Sequence, residues 1–186
     1  MTAPTPEALY KQLLYICHFL ERTNIAYIVV GGIAVSIWVA PRATVDLDFV
    51  IGLNEEDLPS FIETAKREGL IIFDPKPMQF RKMKLLRMFV QGKETELLML
   101  DFILTDNEFF GGSLKRAVVL PFEGVNIKIA SPEDLILLKL LSARGQDIVD
   151  AENIIQMRRE ALDRNYLKFW SDRLSVFDSL NQLWPD

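Results

Sequence analysis

The sequence predicts an α+β protein, in which a small mixed β-sheet is flanked by helices and followed by a helical C-terminal part. Three observations predict this fold class. Apolar residues make up 49% and charged residues 25% of the 186 positions, as in a folded globular protein. Short strand-like runs with hairpin-length connections dominate up to residue 130, and helical spacing dominates from residue 131. We therefore divide the chain into a core, 1–130, and a helical part, 131–186, packed as one compact unit.

The elements before residue 130 follow from the spacing of apolar residues and from the residues that flank them. Leu9, Leu13 and Ile16 recur at helical spacing behind Pro6. Short β-branched runs are strand-like, and a glycine pair after the first of them marks a turn into a short helix. The predicted order is helix 6–22, strand 25–30, helix 33–40, strand 45–51, helix 55–68, strand 70–73, a hairpin of 85–90 with 97–104, and a hairpin of 118–120 with 125–130.

The helical part begins at Ser131-Pro132-Glu133-Asp134. This run supplies a capping residue, a proline at the first helical position and an acid three residues after the cap. The helix that follows is apolar nearly all round, so it should be buried. We expect helices at 131–143, 146–160 and 166–183, with a break near Gly145.

Composition and charge exclude several classes of function. With 21 Lys and Arg against 26 Asp and Glu, the net charge of −5 gives no overall attraction to a nucleic-acid duplex. The single cysteine, Cys17, excludes an intramolecular disulfide, and with one histidine, His18, it excludes the usual type of zinc site. The start of the chain lacks a targeting pattern, and the apolar stretch 25–41 is too short to cross a bilayer. We therefore expect a cytoplasmic protein without membrane contact.

Three acids in predicted strands are candidate metal ligands. Asp46 and Asp48 are two residues apart, so their carboxylates share one face of a strand while Leu47 and Phe49 point into the core. Such close like charges repel, and a divalent cation with oxygen ligands, Mg²⁺ or Mn²⁺, would compensate them. Asp101 is an isolated acid in a later apolar strand and would complete a three-carboxylate cluster. We therefore predict that these three acids are metal ligands and catalytic residues.

A second group of residues is suited to phosphate. Gly31 and Gly32 have no Cβ, so backbone amides at the start of the next helix can approach a phosphate closely. Arg42 and Thr44 share the even-numbered parity of the paired acids, so an extended chain presents them on the same face. Alone, the glycine pair fits an ordinary turn, and an Asp-x-Asp pair fits a solvated strand face. The glycine pair and the three acids together favour a triphosphate site. In that site Gly31, Gly32, Arg42 and Thr44 are the residues that we expect to contact the nucleotide.

This combination resembles the core signature of the DNA polymerase β-type nucleotidyltransferase superfamily, within residues 25–105. The C-terminal part is similar to the AbiEii-like branch, which includes nucleotidyltransferase toxins of toxin–antitoxin systems. The matching residues there are Ser131-Pro132-Glu133-Asp134-Leu135, Leu138-Lys139-Leu140, and Arg144, Asp147 and Asp150. The resemblance implies transfer of a nucleoside monophosphate from a nucleoside triphosphate, such as ATP, to an acceptor hydroxyl. It adds three residues to the nucleotide-binding group, namely Lys139, Arg144 and Asp147.

Lys139 is the interior cation of the apolar helix, and a buried lysine needs an anion. Two partners remain open, a carboxylate of the protein and the triphosphate. Asp147 and Asp150 lie one helical turn apart, so they either hold Lys139 or Arg144 in place or face solvent.

The acceptor remains open at this stage. A tRNA or other RNA 3′ end, modified in the manner of a toxin, is the leading acceptor, and a hydroxyl of a protein or a small molecule is the alternative. A cluster of cations either contacts such an RNA or is a solvated surface: Arg81, Lys82, Lys84 and Arg87. The toxin interpretation adds an antitoxin protein as a partner. From a different class, a non-catalytic nucleotide-binding or protein-interaction module would keep the fold without turnover, but the three acids favour the enzyme.

Overall fold

The fold is built on a seven-stranded mixed β-sheet. The computed structural model describes residues 5–41, 43–91, 97–105 and 107–185. The strands are β1 (Tyr27–Val29), β2 (Asp46–Ile51), β3 (Met78–Phe80), β4 (Met83–Gln91), β5 (Leu97–Leu104), β6 (Val118–Phe122) and β7 (Val125–Ile129). Their order across the sheet is β3-β4-β5-β2-β1-β7-β6. The pairs β2 with β5 and β1 with β7 are parallel, and the other pairs are antiparallel. The mixed sheet of the predicted fold class is therefore confirmed.

The described part of the chain contains eight α-helices. They are α1 (Pro6–Arg22), α2 (Gly31–Trp38), α3 (Leu58–Arg67), α4 (Glu108–Lys115), α5 (Pro132–Ser142), α6 (Gly145–Arg158), α7 (Arg164–Arg173) and α8 (Phe177–Leu183). The buried residues of α1 and α3 belong to one apolar cluster, and those of α5 and α6 belong to a second. Among the described residues, no helix is both long and apolar enough to span a membrane.

The alternation of side chains along β2 assigns its acids to one face of the sheet. Leu47 and Phe49 are buried in the cluster that contains α1 and α3, whereas Val50 belongs to the cluster that contains α5. Asp46 and Asp48 have the parity of Val50, so they lie on the face covered by the helical part. The fold therefore directs both carboxylates toward the side of the sheet on which α2 and α5 pack.

Two predicted elements have different bounds in the structure. The helix expected at 33–40 begins earlier, at Gly31, so that the glycine pair forms its first turn. The helix expected at 166–183 is two helices, α7 and α8, separated near Ser175, whose φ of +55° interrupts helical geometry.

Three further differences concern short segments. The strand expected at 70–73 is reduced to a single bridge between Ile71 and Phe89, because the prolines that follow, Pro75 and Pro77, have no amide hydrogen to donate to a ladder. The short elements β3 and α4 were not expected from the sequence. Both are too short for apolar periodicity to distinguish them from loops, with 3 and 8 residues.

A buried ionic cluster joins the core to the helical part. Arg116, which follows α4, forms ion pairs with Glu133 and Asp134 at 3.5 and 3.4 Å. The Tyr166 hydroxyl donates to Asp134 at 2.5 Å, and its ring centre lies 3.6 Å from the Arg116 guanidinium carbon. The capping residue Ser131 donates a third hydrogen bond to Asp134. Because the Asp134 carboxylate is buried, its stability depends on these donors.

We expect Tyr166→Phe to lower the free energy of unfolding by roughly 1–3 kcal/mol, the usual cost of removing a hydrogen bond to a buried charged acceptor. Tyr10→Phe is the matched control, because Tyr10 is 38% exposed and keeps its ring contact with Phe122 as phenylalanine. Its effect should stay within about 0.5 kcal/mol. Urea denaturation measures both variants, and equal stabilities for the two would contradict a structural role for the Tyr166 hydroxyl.

Candidate functional site

A cavity of about 300 Å³ lies between the sheet and the helices α2, α5 and α6. Every predicted site residue that the structure describes lines this cavity. They are Gly31, Gly32, Thr44, Asp46, Asp48, Asp101, Lys139, Arg144 and Asp147. Arg42, which we also predicted, lies outside the described residues. Residues that are more than 90 positions apart in the chain are therefore brought to one place.

The three acids lie on two neighbouring parallel strands. Asp48 of β2 is in register with Asp101 of β5, and Asp46 is in register with Met99. Asp46 and Asp48 are half-buried, and Asp101 is buried with 6% of its surface exposed. Parallel pairing therefore places Asp48 and Asp101 directly side by side on the cavity face.

The electrostatics of the paired acids reflect this crowding. Burial, together with the charges of Asp101 and Asp46, raises the pKa of Asp48 to about 7. Burial and the charge of Asp101 also raise the pKa of Asp46, and Arg87 and Arg144 partly offset that shift. In the described part of the chain, neither Asp46 nor Asp48 forms an ion pair. Among the described residues, these two carboxylates therefore have no directly bound cationic side chain.

Asp101 is paired with a residue that the sequence analysis did not assign to the site. Arg87 of β4 lies opposite Asp101 in the antiparallel pair β4–β5. Its Nε donates to Oδ1 at 2.8 Å and its Nη2 donates to Oδ2 at 2.7 Å. This bidentate pair raises the pKa of Arg87 above its usual value. The signal that would have found Arg87 is the hairpin register, which aligns it with the third acid.

Lys139 forms ion pairs with carboxylates of the protein, one of the two kinds of partner that the sequence left open. Its Nζ lies 2.7 Å from Asp147 and 2.7 Å from Asp150. Burial alone would raise the pKa of Asp147, but hydrogen bonds from Lys139 and Ser142 hold it below its usual value. An ammonium group has three donors, so these two contacts leave one for a ligand in the cavity. Contact between Lys139 and a triphosphate stays a prediction.

The glycine pair packs directly against the acids. Gly31 has φ +63°, a conformation that side chains rarely adopt, and a Cβ there would lie 1.9 Å from Oδ2 of Asp48. The residue before it, Val30, occupies the N-cap of α2 and has no polar side chain to cap the helix. The N-cap side chain therefore provides no acceptor for the amide groups in the first turn of α2, at an end of the helix that attracts anions.

The acids meet some requirements of a metal site. Among the described residues, no group of three His, Cys, Asp or Glu side chains is arranged to hold a metal ion. Both oxygens of Asp101 accept hydrogen bonds from Arg87. Asp46 and Asp48 nevertheless fit a hard divalent cation, because they supply oxygen donors on one strand face.

The cationic cluster that was a candidate RNA contact binds groups of the protein itself. Arg81 donates to the Ala143 carbonyl at 3.4 Å, and Lys82 donates to the Leu174 carbonyl at 2.6 Å. Lys84 forms an ion pair with Glu55, and the fourth member, Arg87, is the partner of Asp101 described above. These contacts hold the β3–β4 hairpin against neighbouring elements.

Solved structures of nucleotidyltransferases share this arrangement of sheet and helices. An antigenic nucleotidyltransferase-like protein of Paracoccidioides brasiliensis is 19% identical, with a TM-score of 0.61 over 100% of this chain and 92% of that one. The antibiotic-resistance factor ANT(2″)-Ia is 13% identical, with a TM-score of 0.59 over 92% and 96%. The lincosamide antibiotic adenylyltransferase LnuA is 17% identical, with a TM-score of 0.50 over 84% and 99%. At these identities the similarity establishes a nucleotidyltransferase fold.

The sequence itself establishes the family. Residues 14–175 match the AbiEii nucleotidyl transferase toxins of type IV toxin–antitoxin systems, and the chain belongs to that family. It is therefore a nucleotidyltransferase, as the resemblance in its motifs implied. No curated protein sequence matches the chain.

We expect Gly31→Ala to lower the free energy of unfolding by more than about 2 kcal/mol, because left-handed geometry and the overlap with Asp48 both oppose a methyl group. Gly112→Ala in α4 is the control, since no atom lies within 4 Å of its added methyl group. That change should be neutral or stabilise by up to about 1 kcal/mol. Chemical denaturation compares the two, and wild-type stability of Gly31→Ala would refute the close contact.

Proposed function

We propose that the protein transfers a nucleoside monophosphate from a nucleoside triphosphate, held with Mg²⁺ or Mn²⁺, to a hydroxyl of an RNA acceptor. One observation carries this proposal. The uncapped end of α2, the acids of β2 and β5, and Lys139 of α5 all line the same cavity. Phosphoryl transfer mainly requires positioning and stabilisation of charge, and these groups supply both.

The phosphate groups of the substrate have donors on one side of the cavity. Amides in the first turn of α2 donate to an anion there, aided by the positive end of the helix dipole. The remaining donor of Lys139 and the guanidinium of Arg144 supply positive charge from α5 and the start of α6. Arg144, whose guanidinium carbon lies 4.7 Å from the ring centre of Phe80, borders an apolar part of the cavity suited to a nucleoside base.

Asp46 and Asp48 would hold the divalent cation, and Asp101 would join them when it is free to do so. A bound Mg²⁺ or Mn²⁺ would neutralise charge on the triphosphate and lower the pKa of a bound hydroxyl. The residues of this chain do the remaining work. Gly31 permits close packing at the acids, and Asp101 is a candidate general base for the acceptor hydroxyl.

Membership of a toxin family supports an antitoxin protein as partner. The resemblance to toxin-type nucleotidyltransferases makes RNA, with a tRNA 3′ end as the leading choice, the first acceptor to test. A second acceptor class has support from the fold. ANT(2″)-Ia is described in complex with adenylyl-2″-tobramycin, so a protein of this fold transfers adenylate to a small molecule. Transfer to a small-molecule or protein hydroxyl is therefore the alternative that the experiment must distinguish.

We expect label from a radioactive nucleoside triphosphate to appear on a 3′ hydroxyl when the protein is incubated with Mg²⁺ and a mixed RNA pool. Asp48→Asn should lower the rate at least about a hundredfold, because it removes a charge that positions the reacting groups. Asp172→Asn, the same chemical change at an exposed position on α7, should leave the rate unchanged. Gel separation of labelled products measures the rates.

The outcomes of this assay separate the parts of the proposal. Label on protein or on a small molecule, with none on RNA for any of the four nucleotides, would replace the RNA acceptor and leave the transfer reaction in place. Wild-type transfer by Asp48→Asn would remove Asp48 from the reaction. Absence of transfer to every acceptor, with nucleotide binding intact, would favour the non-catalytic module.

We expect the double variant Lys139→Gln with Asp150→Asn to lose about tenfold in affinity for ATP and GTP but little for AMP and GMP. Lys139→Ala alone is unsuitable, because two buried carboxylates would lose their partner at a cost of about 3–5 kcal/mol. The double variant keeps the net charge of the cluster, so its fold should survive.

Asp150→Asn alone serves as the control for the double variant, because it keeps the Lys139 cation and should keep triphosphate affinity. Isothermal titration calorimetry measures each nucleotide. Equal losses for triphosphates and monophosphates in the double variant would show that Lys139 has a purely structural role.

A further inference from the structure

Arg87 and Asp101 form a pair with unequal exposure. The Asp101 side chain is 8% exposed, and both of its oxygens accept hydrogen bonds from the Arg87 guanidinium. The Arg87 side chain is 34% exposed and lines the same cavity as the acids. The Asp101 carboxylate is therefore held within the sheet, whereas the Arg87 guanidinium approaches it from the solvent-accessible side of the cavity.

This pair occupies the carboxylate that a divalent cation at Asp48 would need as a further ligand. Asp48 and Asp101 are side by side on paired strands, and Arg87 lies on the strand beyond Asp101. Across the neighbouring strands β4, β5 and β2, the charges are therefore the cation Arg87 and then the two anions Asp101 and Asp48. Arg87 compensates Asp101, while the charge of Asp48 is compensated at longer range by Lys139 and Arg144. Arg87 and a divalent cation would consequently compete for the same oxygens.

We propose that Asp101 exchanges partners when nucleotide binds: it releases the Arg87 guanidinium to a phosphate of the nucleotide and accepts a divalent cation in its place. This proposal rests on the proposed function, since it assumes a metal-bound triphosphate in the cavity. Arg87 is then a nucleotide-binding residue, one that contacts phosphate only in the loaded site.

Two physical arguments support an exchange over a simple loss of the pair. A buried carboxylate without a cation carries a large desolvation cost, so Asp101 can release one cation only as another arrives. A guanidinium binds phosphate in the same bidentate manner as carboxylate, so Arg87 loses little when its partner changes from Asp101 to phosphate. Both charges stay compensated before and after the exchange.

The first test measures binding of Mn²⁺ alone, by the electron paramagnetic resonance signal of the free ion. We expect Arg87→Gln to bind Mn²⁺ about tenfold more tightly than the wild type, because the competing cation is gone. The double variant Arg87→Gln with Asp101→Asn should lose that gain, since the gain depends on the freed carboxylate. Arg144→Gln removes one positive charge from the same cavity without touching Asp101, so it should give a smaller gain.

The second test uses inorganic triphosphate together with Mn²⁺, measured by calorimetry. Arg87→Gln should bind this complex about tenfold more weakly than the wild type, because the phosphate has lost a bidentate donor. Opposite changes in the two tests, with a gain in Mn²⁺ affinity that disappears when Asp101 is also changed, are the signature of an exchange. A merely structural arginine would change both affinities in the same direction or neither.

The failures of the two proposals differ. If the wild type binds Mn²⁺ and Arg87→Gln binds it with the same affinity, or if the gain persists without Asp101, the exchange is wrong and the proposed function stands. If neither protein binds Mn²⁺, the metal-dependent function fails as well. Should Arg87→Gln not fold, Arg87→Lys decides the matter: it keeps a cation that competes for Asp101 but loses the bidentate geometry, so its Mn²⁺ affinity should stay near that of the wild type, and wild-type affinity for the complex of Mn²⁺ with triphosphate would overturn the exchange.

Discussion

Electrostatic repulsion between Asp48 and Asp101 is the constraint on which the rest of the site depends. Parallel pairing of β2 with β5 places both carboxylates on one face, and burial raises the pKa of Asp48 to about 7. The sheet stays folded despite this unfavourable electrostatic free energy, because Phe49 and Phe102 pack on the opposite face of the same strands. Their ring centres lie 5.8 Å apart. Apolar packing on one side therefore offsets charge repulsion on the other.

Much of the fold was predictable because local rules and tertiary packing agree in its main elements. The helix at 6–22 has the predicted bounds, since a capping threonine, Pro6 and an apolar stripe all favour the same helix. Short elements were not predictable in this way. The segment 70–73 has strand-like residues, but it forms one bridge because its pairing is decided by the neighbouring prolines. The α4 helix depends on burial of Phe109 and Phe110, which its sequence spacing alone does not reveal.

The site was predictable to the extent that it depends on parity within a strand. The side-by-side position of Asp46 and Asp48 follows from a period of two, whereas the neighbour of Asp101 depends on strand order and register. A shift of one residue in the β4–β5 hairpin would turn Arg87 to the opposite face, so its pairing needed the structure. The partners of Lys139 lie beyond a helix break, where Ala143 adopts φ +47° and redirects the chain, so helical spacing did not select between them.

Two cations that line the cavity, Lys139 and Arg87, are held in different ways, and this difference suits different tasks. Lys139 is buried between two carboxylates on α6, so moving it would expose two unpaired charges and it should stay in place through a reaction cycle. In the described part of the chain, Arg87 pairs with one carboxylate and has an exposed side, so its pairing can change at lower cost. In the proposed reaction, a fixed cation would define where phosphate is bound, whereas an exchangeable one would link phosphate binding to the state of the third acid. The strand order that brings β4 beside β5 places the exchangeable cation next to that acid.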